Sequence, residues 1–327
     1  MNTVLVTGGT GFLGSNLAIA LLNEGYNVRI LRRPTSDLRA IGNAPVEHCL
    51  GDVFDPATLR RALQGCDTVF HTAAVISYWR KERERMMEVN VGGTRNIVEA
   101  SLEMGVTKFV HTSSVAAIGT RDDGKPADEE TEFRWDARTP GYRISKHLAE
   151  QEVLKGVKQG LPAVIVNPSI IIGPRDIHVH GGQMVRDIAR KRIFYATKGG
   201  MNVVDVDDVV RGHLQAARYG RIGERYILGG ENLTTREVFG ITAEVVGGIR
   251  PLFTLPEGAV RFLGTLFETI GDLTGVRPWV TRELVATVGK NLWFSSSKAE
   301  RELGYTATPL RLAVEKTYRW YREHGFL

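Results

Sequence analysis

The segment Thr3-Val4-Leu5-Val6-Thr7-Gly8-Gly9-Thr10-Gly11-Phe12-Leu13-Gly14 decides the fold. Its first five residues are β-branched or apolar and read as a strand. The glycines that follow open a helix, expected from about Ser15 to Glu24. Gly25 stops that helix and Val28–Leu31 reads as the next strand, so the βαβ unit closes in about 30 residues, the expected size. Glycine is needed where the backbone turns tightly and where a Cβ would block a pyrophosphate. The helix start then offers free N–H groups and partial positive charge to the phosphates. A glycine pattern alone says little. Placed after a strand and opening a helix, it marks a dinucleotide site at Gly8, Gly11, Phe12, Leu13 and Gly14.

Outward from this unit, apolar runs at Val46–Leu50, Thr68–Thr72, Lys108–Thr112 and Ala163–Val166 read as further strands. Helical periodicity lies between them near Pro56–Leu63, Arg85–Met104 and Ile144–Gln159. The expectation is an α/β protein: a Rossmann doubly wound parallel sheet with a smaller C-terminal α/β substrate domain. Residues 1–170, with 202–218 returning, are assigned to the dinucleotide-binding domain, and 171–201 with 219–327 to the substrate-binding domain. Val203–Asp205 and Arg225–Leu228 still read as strands there, while Pro251–Trp293 is irregular with amphipathic helical pieces.

At 327 residues, 43% hydrophobic and 24% charged, the chain can bury a sizeable core. No apolar run approaches the roughly 18 residues of a membrane span, and the start lacks the basic segment and long apolar stretch of a leader. Two cysteines, Cys49 and Cys66, form no framework and are expected reduced, in a cytoplasmic protein. A net charge of +5 reads as a mildly basic surface, and its scattered basic residues do not form a nucleic-acid module. His178 and His180 lack further ligands, so they read as loop residues and no metal is expected.

The second strand chooses the dinucleotide. Selectivity for NAD(H) calls for an acidic residue at its end, on the adenosine ribose. Here it ends Leu31-Arg32-Arg33, two guanidiniums that suit a 2′-phosphate, so NADP(H) is preferred, with NAD(H) as the alternative. Farther on, Tyr142 and Lys146 stand four residues apart on one face of a helix starting after Pro140-Gly141. A neighbouring ammonium would lower the phenol's pKa toward working pH. The pair is common by itself. Its setting is not, because a strand ending Thr112-Ser113-Ser114 puts a hydroxyl at the sheet edge where ligands bind. Ser114 can hydrogen-bond a substrate oxygen while Tyr142 gives or takes its proton.

With these residues the chain resembles the extended branch of the short-chain dehydrogenase/reductases, the NAD-dependent epimerase/dehydratase family. The resemblance rests on Thr7–Gly14, Gly51-Asp52-Val53, His71-Thr72-Ala73-Ala74, Asn90-Val91-Gly92-Gly93-Thr94, Ser114, Tyr142 with Lys146, and Asn167-Pro168 followed by Gly173-Pro174. It covers about the first 215 residues, and Phe294–Tyr305 also looks like that branch. It implies that Asp52 and Val53 hold the adenine, that Ala73 lines the nicotinamide side, and that Lys146 binds the ribose hydroxyls. Asn167 through Ser169 would approach the carboxamide, and Asn90 would brace the active-site strand. A homodimer through the helices at Arg85–Met104 and Ile144–Gln159 is implied as well.

Within the branch, Asn167-Pro168-Ser169 with Gly173-Pro174-Arg175-Asp176 looks most like the dihydroflavonol reductase, aldehyde reductase and 3β-hydroxysteroid dehydrogenase kinds, and like hopanoid-associated epimerase-like members. Sugar-nucleotide enzymes of the branch carry an arginine where this chain has Met201, although Arg211, Arg221 or Arg225 could compensate. Ser114 is followed by Val115-Ala116-Ala117 and not by the acid pair of the dehydratases. Ala74–Trp79 and the apolar set Phe262, Leu263, Leu266, Phe267 and Ile270 could form a hydrophobic substrate wall. The expected reaction is reduction of a ketone or aldehyde, or its reverse, by hydride transfer with Tyr142 as general acid or base. The alternatives are an NAD-dependent nucleotide-sugar 4-epimerase and a non-catalytic dinucleotide sensor.

Overall fold

The computed structural model describes residues 2–121 and 123–327. Twelve strands run in chain order: β1 (Thr3–Thr7), β2 (Asn27–Arg32), β3 (Glu47–Leu50), β4 (Thr68–His71), β5 (Lys108–Thr112), β6 (Ala163–Pro168), β7 (Ile170–Ile172), β8 (Tyr195–Thr197), β9 (Gly200–Asp205), β10 (Arg225–Leu228), β11 (Glu231–Thr234) and β12 (Phe253–Leu255). Seven of them form one sheet in the order β10-β6-β5-β4-β1-β2-β3. Every pair in it is parallel. The chain order reverses at β1, which sits between β2 and β4, and the carboxyl ends beside such a switch point are where an open α/β sheet takes its ligand.

Side-chain alternation explains the two layers. Val4 and Val6 join Leu17, Leu21, Phe70 and Val110 in the core on one face of the sheet. Leu5 points the other way, into a core with Leu59, Val69, Ile97, Phe109 and Val153. The first face is covered by α1 (Phe12–Asn23), the second by α2 (Pro56–Leu63) and, beyond a short α3 (Arg83–Met87), by α4 (Gly93–Glu103) and α5 (Gly141–Lys158). The single helix expected over Arg85–Met104 is thus broken, with a wide π turn over Glu88–Gly92. Such turns occur where a side chain has work outside the helix. Here Asn90 donates to the Val75 carbonyl at 2.9 Å and accepts from the Val75 N–H at 2.8 Å, bracing the segment after β4.

The remaining chain adds a three-stranded sheet, β11-β9-β7, and a pair, β12-β8. It also carries α6 (Gln183–Ala189), α7 (Val206–Tyr219), α8 (Thr235–Val246), α9 (Glu257–Thr274), α10 (Arg282–Val285), α11 (Ser297–Leu303) and α12 (Leu310–Glu323). Arg225–Leu228, expected in the substrate-binding part, instead forms the edge strand β10 of the large sheet. Its Tyr226, Ile227 and Leu228 are fully buried there, which a short apolar strand achieves most readily beside the equally buried β6. Cys49 and Cys66 are buried free thiols. No helix among the described residues is long and apolar enough to cross a membrane.

Candidate active site

A cleft of about 830 Å³ opens at the carboxyl ends of β1, β2, β4, β5 and β6. Gly8, Gly11, Phe12, Leu13 and Gly14 form one wall, and Gly11 caps α1 without a side-chain hydrogen bond. A Cβ on Gly8, which sits at φ +71°, would stand 2.8 Å from the Ala73 nitrogen. One on Gly14 would collide with the Gly8 carbonyl oxygen. The loop therefore presents bare backbone and a helix start to the cleft, the surface a pyrophosphate needs. The Ser169 hydroxyl, buried in the cleft wall without a protein partner, adds a polar group aimed at a ligand. These features fit a dinucleotide.

Arg32, Arg33, Asp52, Val53 and Ala73 all line the same cleft. The Arg32 guanidinium rests on His48, donating to its Nδ1 at 2.9 Å, while Arg33 is exposed. Asp37, held by Arg39 and ionised down to a pKa of about 2, stands at this end too. Sequence reasoning passed it over because it lies beyond the strand end. His178 and His180, read from the sequence as loop residues, are on a loop that enters the cleft wall. They are carried by a tight loop in which Arg175 (φ 70°) and Val179 (φ 52°) adopt the left-handed conformation. That conformation strains a β-branched residue by about 1–2 kcal/mol. The loop is pinned to α1 by Arg175 on Asn16 at 3.0 Å, and closed on itself by Asp176, which accepts from His180 N and Gly182 N at 3.0 Å each.

Across the cleft stand Ser114, Tyr142 and Lys146. Ser114 Oγ accepts from Ala116 N at 3.1 Å, and its hydroxyl faces the Tyr142 phenol. Tyr142 lies in the first turn of α5 and is buried, with Tyr78 edge-on at 5.7 Å between ring centroids. The pKa of the Tyr142 phenol is shifted by its protein surroundings. Burial, reinforced by Tyr78, drives it well above its ordinary value, and only the Ser114 hydroxyl pulls it back. Lys146 donates to the Thr112 carbonyl at 3.0 Å, and burial lowers its own pKa to about 8 against the opposing pull of Glu150.

Glu150 extends the same helix face one turn beyond Lys146, a spacing visible in the sequence but not singled out. It is buried and accepts from Asn167 Nδ2 at 2.6 Å, with Arg225 at 3.4 Å behind it. Asn167 Nδ2 also donates to the Ser114 carbonyl at 2.9 Å. Asn167 is thus fully buried behind the cleft wall, and the expectation that it meets the ligand directly is corrected: both amide hydrogens are committed to holding β6, α5 and Ser114 together. Pro168 and Ser169 reach the wall in its place.

At the open end, Ala74, Val75, Ile76 and Tyr78 contribute the expected apolar wall, joined by Leu284, Leu292 and Phe294. Phe262, Leu263, Leu266, Phe267 and Ile270 do not. Helix α9 buries the opposite set, Val260, Gly264, Glu268 and Gly271, so its large apolar residues face outward.

A Rossmann-type sheet with a serine, a tyrosine and a lysine converging beside a glycine-lined cleft defines a dinucleotide-dependent enzyme of the extended short-chain dehydrogenase/reductase class. Residues 4–229 match the model of the NAD dependent epimerase/dehydratase family, and the chain belongs to that family. It is 37% identical over 327 residues to a provisionally named dihydroflavonol 4-reductase of Synechocystis sp., covering 98% of this chain and 95% of that protein. The crystal structure of gox2253 superposes with a TM-score of 0.88 at 43% identity, covering 99% of both chains. UDP-glucose 4-epimerase of Thermus thermophilus, in complex with NAD, superposes with a TM-score of 0.78 at 25% identity, covering 98% of this chain and 99% of that one.

Proposed function

We propose that this enzyme is an NADP(H)-dependent oxidoreductase that reduces a ketone or aldehyde to an alcohol, or runs the reverse. The observation that carries the reading is the convergence of Ser114, Tyr142 and Lys146 on one cleft with the glycine loop. The bound nicotinamide would supply or accept the hydride. Ser114, beside Tyr142, would donate its O–H to the substrate oxygen once that oxygen is bound between them. Tyr142, kept protonated by burial, is suited to hand that oxygen a proton as charge develops on it. Lys146, largely charged below pH 8, would hold the ribose and stabilise the phenolate left behind.

Reduction is favoured over sugar-nucleotide epimerisation by the fate of the cations. Met201 sits in β9 and packs in the core of the smaller part. Arg211, Arg221 and Arg225, the possible substitutes, are paired with Asp208, Glu302 and Glu150. None lines the cleft, so a diphosphate would meet no arginine from this region. The family match and the Thermus structure keep the epimerase as the second reading. Preference for NADP(H) rests on Arg32 and Arg33, and Arg32→Asp should weaken NADPH binding at least tenfold relative to NADH. We further propose that the three-stranded sheet and α9–α10 make the substrate-binding part, and that α4 and α5 pair two copies into a homodimer. The test of the reaction is net NADPH oxidation with small apolar aldehydes and ketones. Isomerisation of UDP-glucose without net cofactor change would overturn it.

A further inference from the structure

The substrate end of the cleft contains a cation that the proposed chemistry does not use. Arg143, next to the acid–base tyrosine in the first turn of α5, lines the cleft. Of its five N–H donors one reaches a protein acceptor, the Ile118 carbonyl at 2.8 Å. Its Nε is buried with no partner. Among the described residues it has no carboxylate partner, and the group acting on it electrostatically is the Tyr78 phenol. Glu283 accepts from Gly141 N at 2.8 Å and makes no ion pair with Arg143 among the described residues.

The guanidinium is also held in place. It lies over the Phe133 ring at 5.6 Å, and His147, one turn along the helix, stacks on that ring at 4.5 Å. A half-buried guanidinium held without a carboxylate partner, its Nε buried and unbonded, is costly to a folded protein, and an anionic ligand relieves that cost. The neighbouring wall is apolar, formed by Val115, Leu292 and Phe294. One planar fork in apolar surroundings matches a single carboxylate, which it can take through two parallel N–H···O bonds.

We propose that Arg143 forms an anion subsite and that the substrate is an oxo acid or hydroxy acid whose carboxylate is gripped by this side chain. The proposal rests on the carbonyl–alcohol reading for the position of the reacting group beside Tyr142. The guanidinium would fix which end of the substrate faces inward, and so which face of its carbonyl meets the cofactor.

The test is calorimetric binding of para-acetylbenzoate, its methyl ester and para-acetylphenyl phosphate to the NADP+-saturated protein, in the wild type, R143M and R143K. Wild type should bind the acid roughly 10- to 100-fold more tightly than the ester, the range for a hydrogen-bonded charge pair. R143M should remove that preference and R143K should keep part of it. A wild type that does not prefer the acid, including one that binds neither compound, overturns the proposal without any variant having to fold. So does tighter binding of the phosphate, or a preference that survives in R143M. Turnover is read separately. An acid preference lost in R143M with no NADPH oxidised on any carbonyl keeps the subsite and removes the redox reading; oxidation of neutral ketones without acid preference does the reverse.

Discussion

In the floor layer beneath the cleft, His71 on β4, His111 on β5 and His213 on α7 are all buried. His71 bridges the Thr7 and Thr94 hydroxyls at 2.7 and 3.0 Å, and His213 joins the Thr112 hydroxyl to the Val209 carbonyl at 2.8 and 2.7 Å. Helix α9, which does not line the cleft but packs on α10 at its open end, instead exposes Phe262, Leu266 and Leu273. It is tied to the β4 side through Asp272, which takes Trp79 Nε1 at 3.1 Å together with Arg80 and Lys81. His71 and His213 are thus buried and satisfied, whereas neither ring nitrogen of the buried His111 has a partner. The α9 side is fastened through a partly buried Asp272 to the buried Trp79 and to the exposed Arg80 and Lys81. The same chain therefore holds a rigid reaction centre under an adaptable entrance, and substitutions in the two regions should separate kcat from KM.

The largest expected effect is at the floor. Tyr142→Phe should lower kcat about 1,000-fold or more while the cofactor Kd, measured by fluorescence titration, stays within about threefold. Retained turnover would remove the tyrosine from the mechanism. Next comes the glycine loop: Gly14→Ala, whose Cβ meets the Gly8 carbonyl, should weaken cofactor binding more than tenfold. A pH profile follows. With the Lys146 pKa near 8, kcat/KM for reduction should fall as pH rises through about 8, and Lys146→Met should be slow at every pH with that limb gone. The mouth should respond least in rate: Asp272→Ala should raise KM about two- to tenfold and leave kcat nearly unchanged. An equal fall in kcat would mean that the entrance is coupled to the reaction centre.

The floor also sets acid stability. Burial pushes the His213 pKa down to about 4 and that of His71 to about 3, so both are neutral in the folded chain. Below the unfolded value of about 6.5 the unfolded chain takes up protons that the folded one refuses. Stability should therefore be complete above about pH 6.5 and fall by about 1.4 kcal/mol per pH unit for each such histidine as pH drops toward 4. His213→Gln should flatten that slope in denaturant titrations.

What was legible in the sequence follows the same division. The glycine loop, the alternating strands and the Tyr142–Lys146 pair were readable because local spacing alone puts them together, and nearly every residue expected at the cofactor lines the cleft. The break in the Arg85–Met104 helix was not readable, because its cause is a contact between Asn90 and Val75 that forms only on folding. The outward turn of Phe262 and Phe267 was missed for a related reason. An amphipathic pattern identifies an apolar face but not what that face meets.

The most direct test of the central claim is the stoichiometry of NADPH oxidation against alcohol formed, for wild type and Tyr142→Phe, with a carbonyl panel and UDP-glucose in parallel. One NADPH consumed per alcohol by the wild type, none by the variant and no reaction with UDP-glucose is the predicted result. Interconversion of the sugar nucleotide with no net change in NADPH, or full activity in Tyr142→Phe, would contradict it.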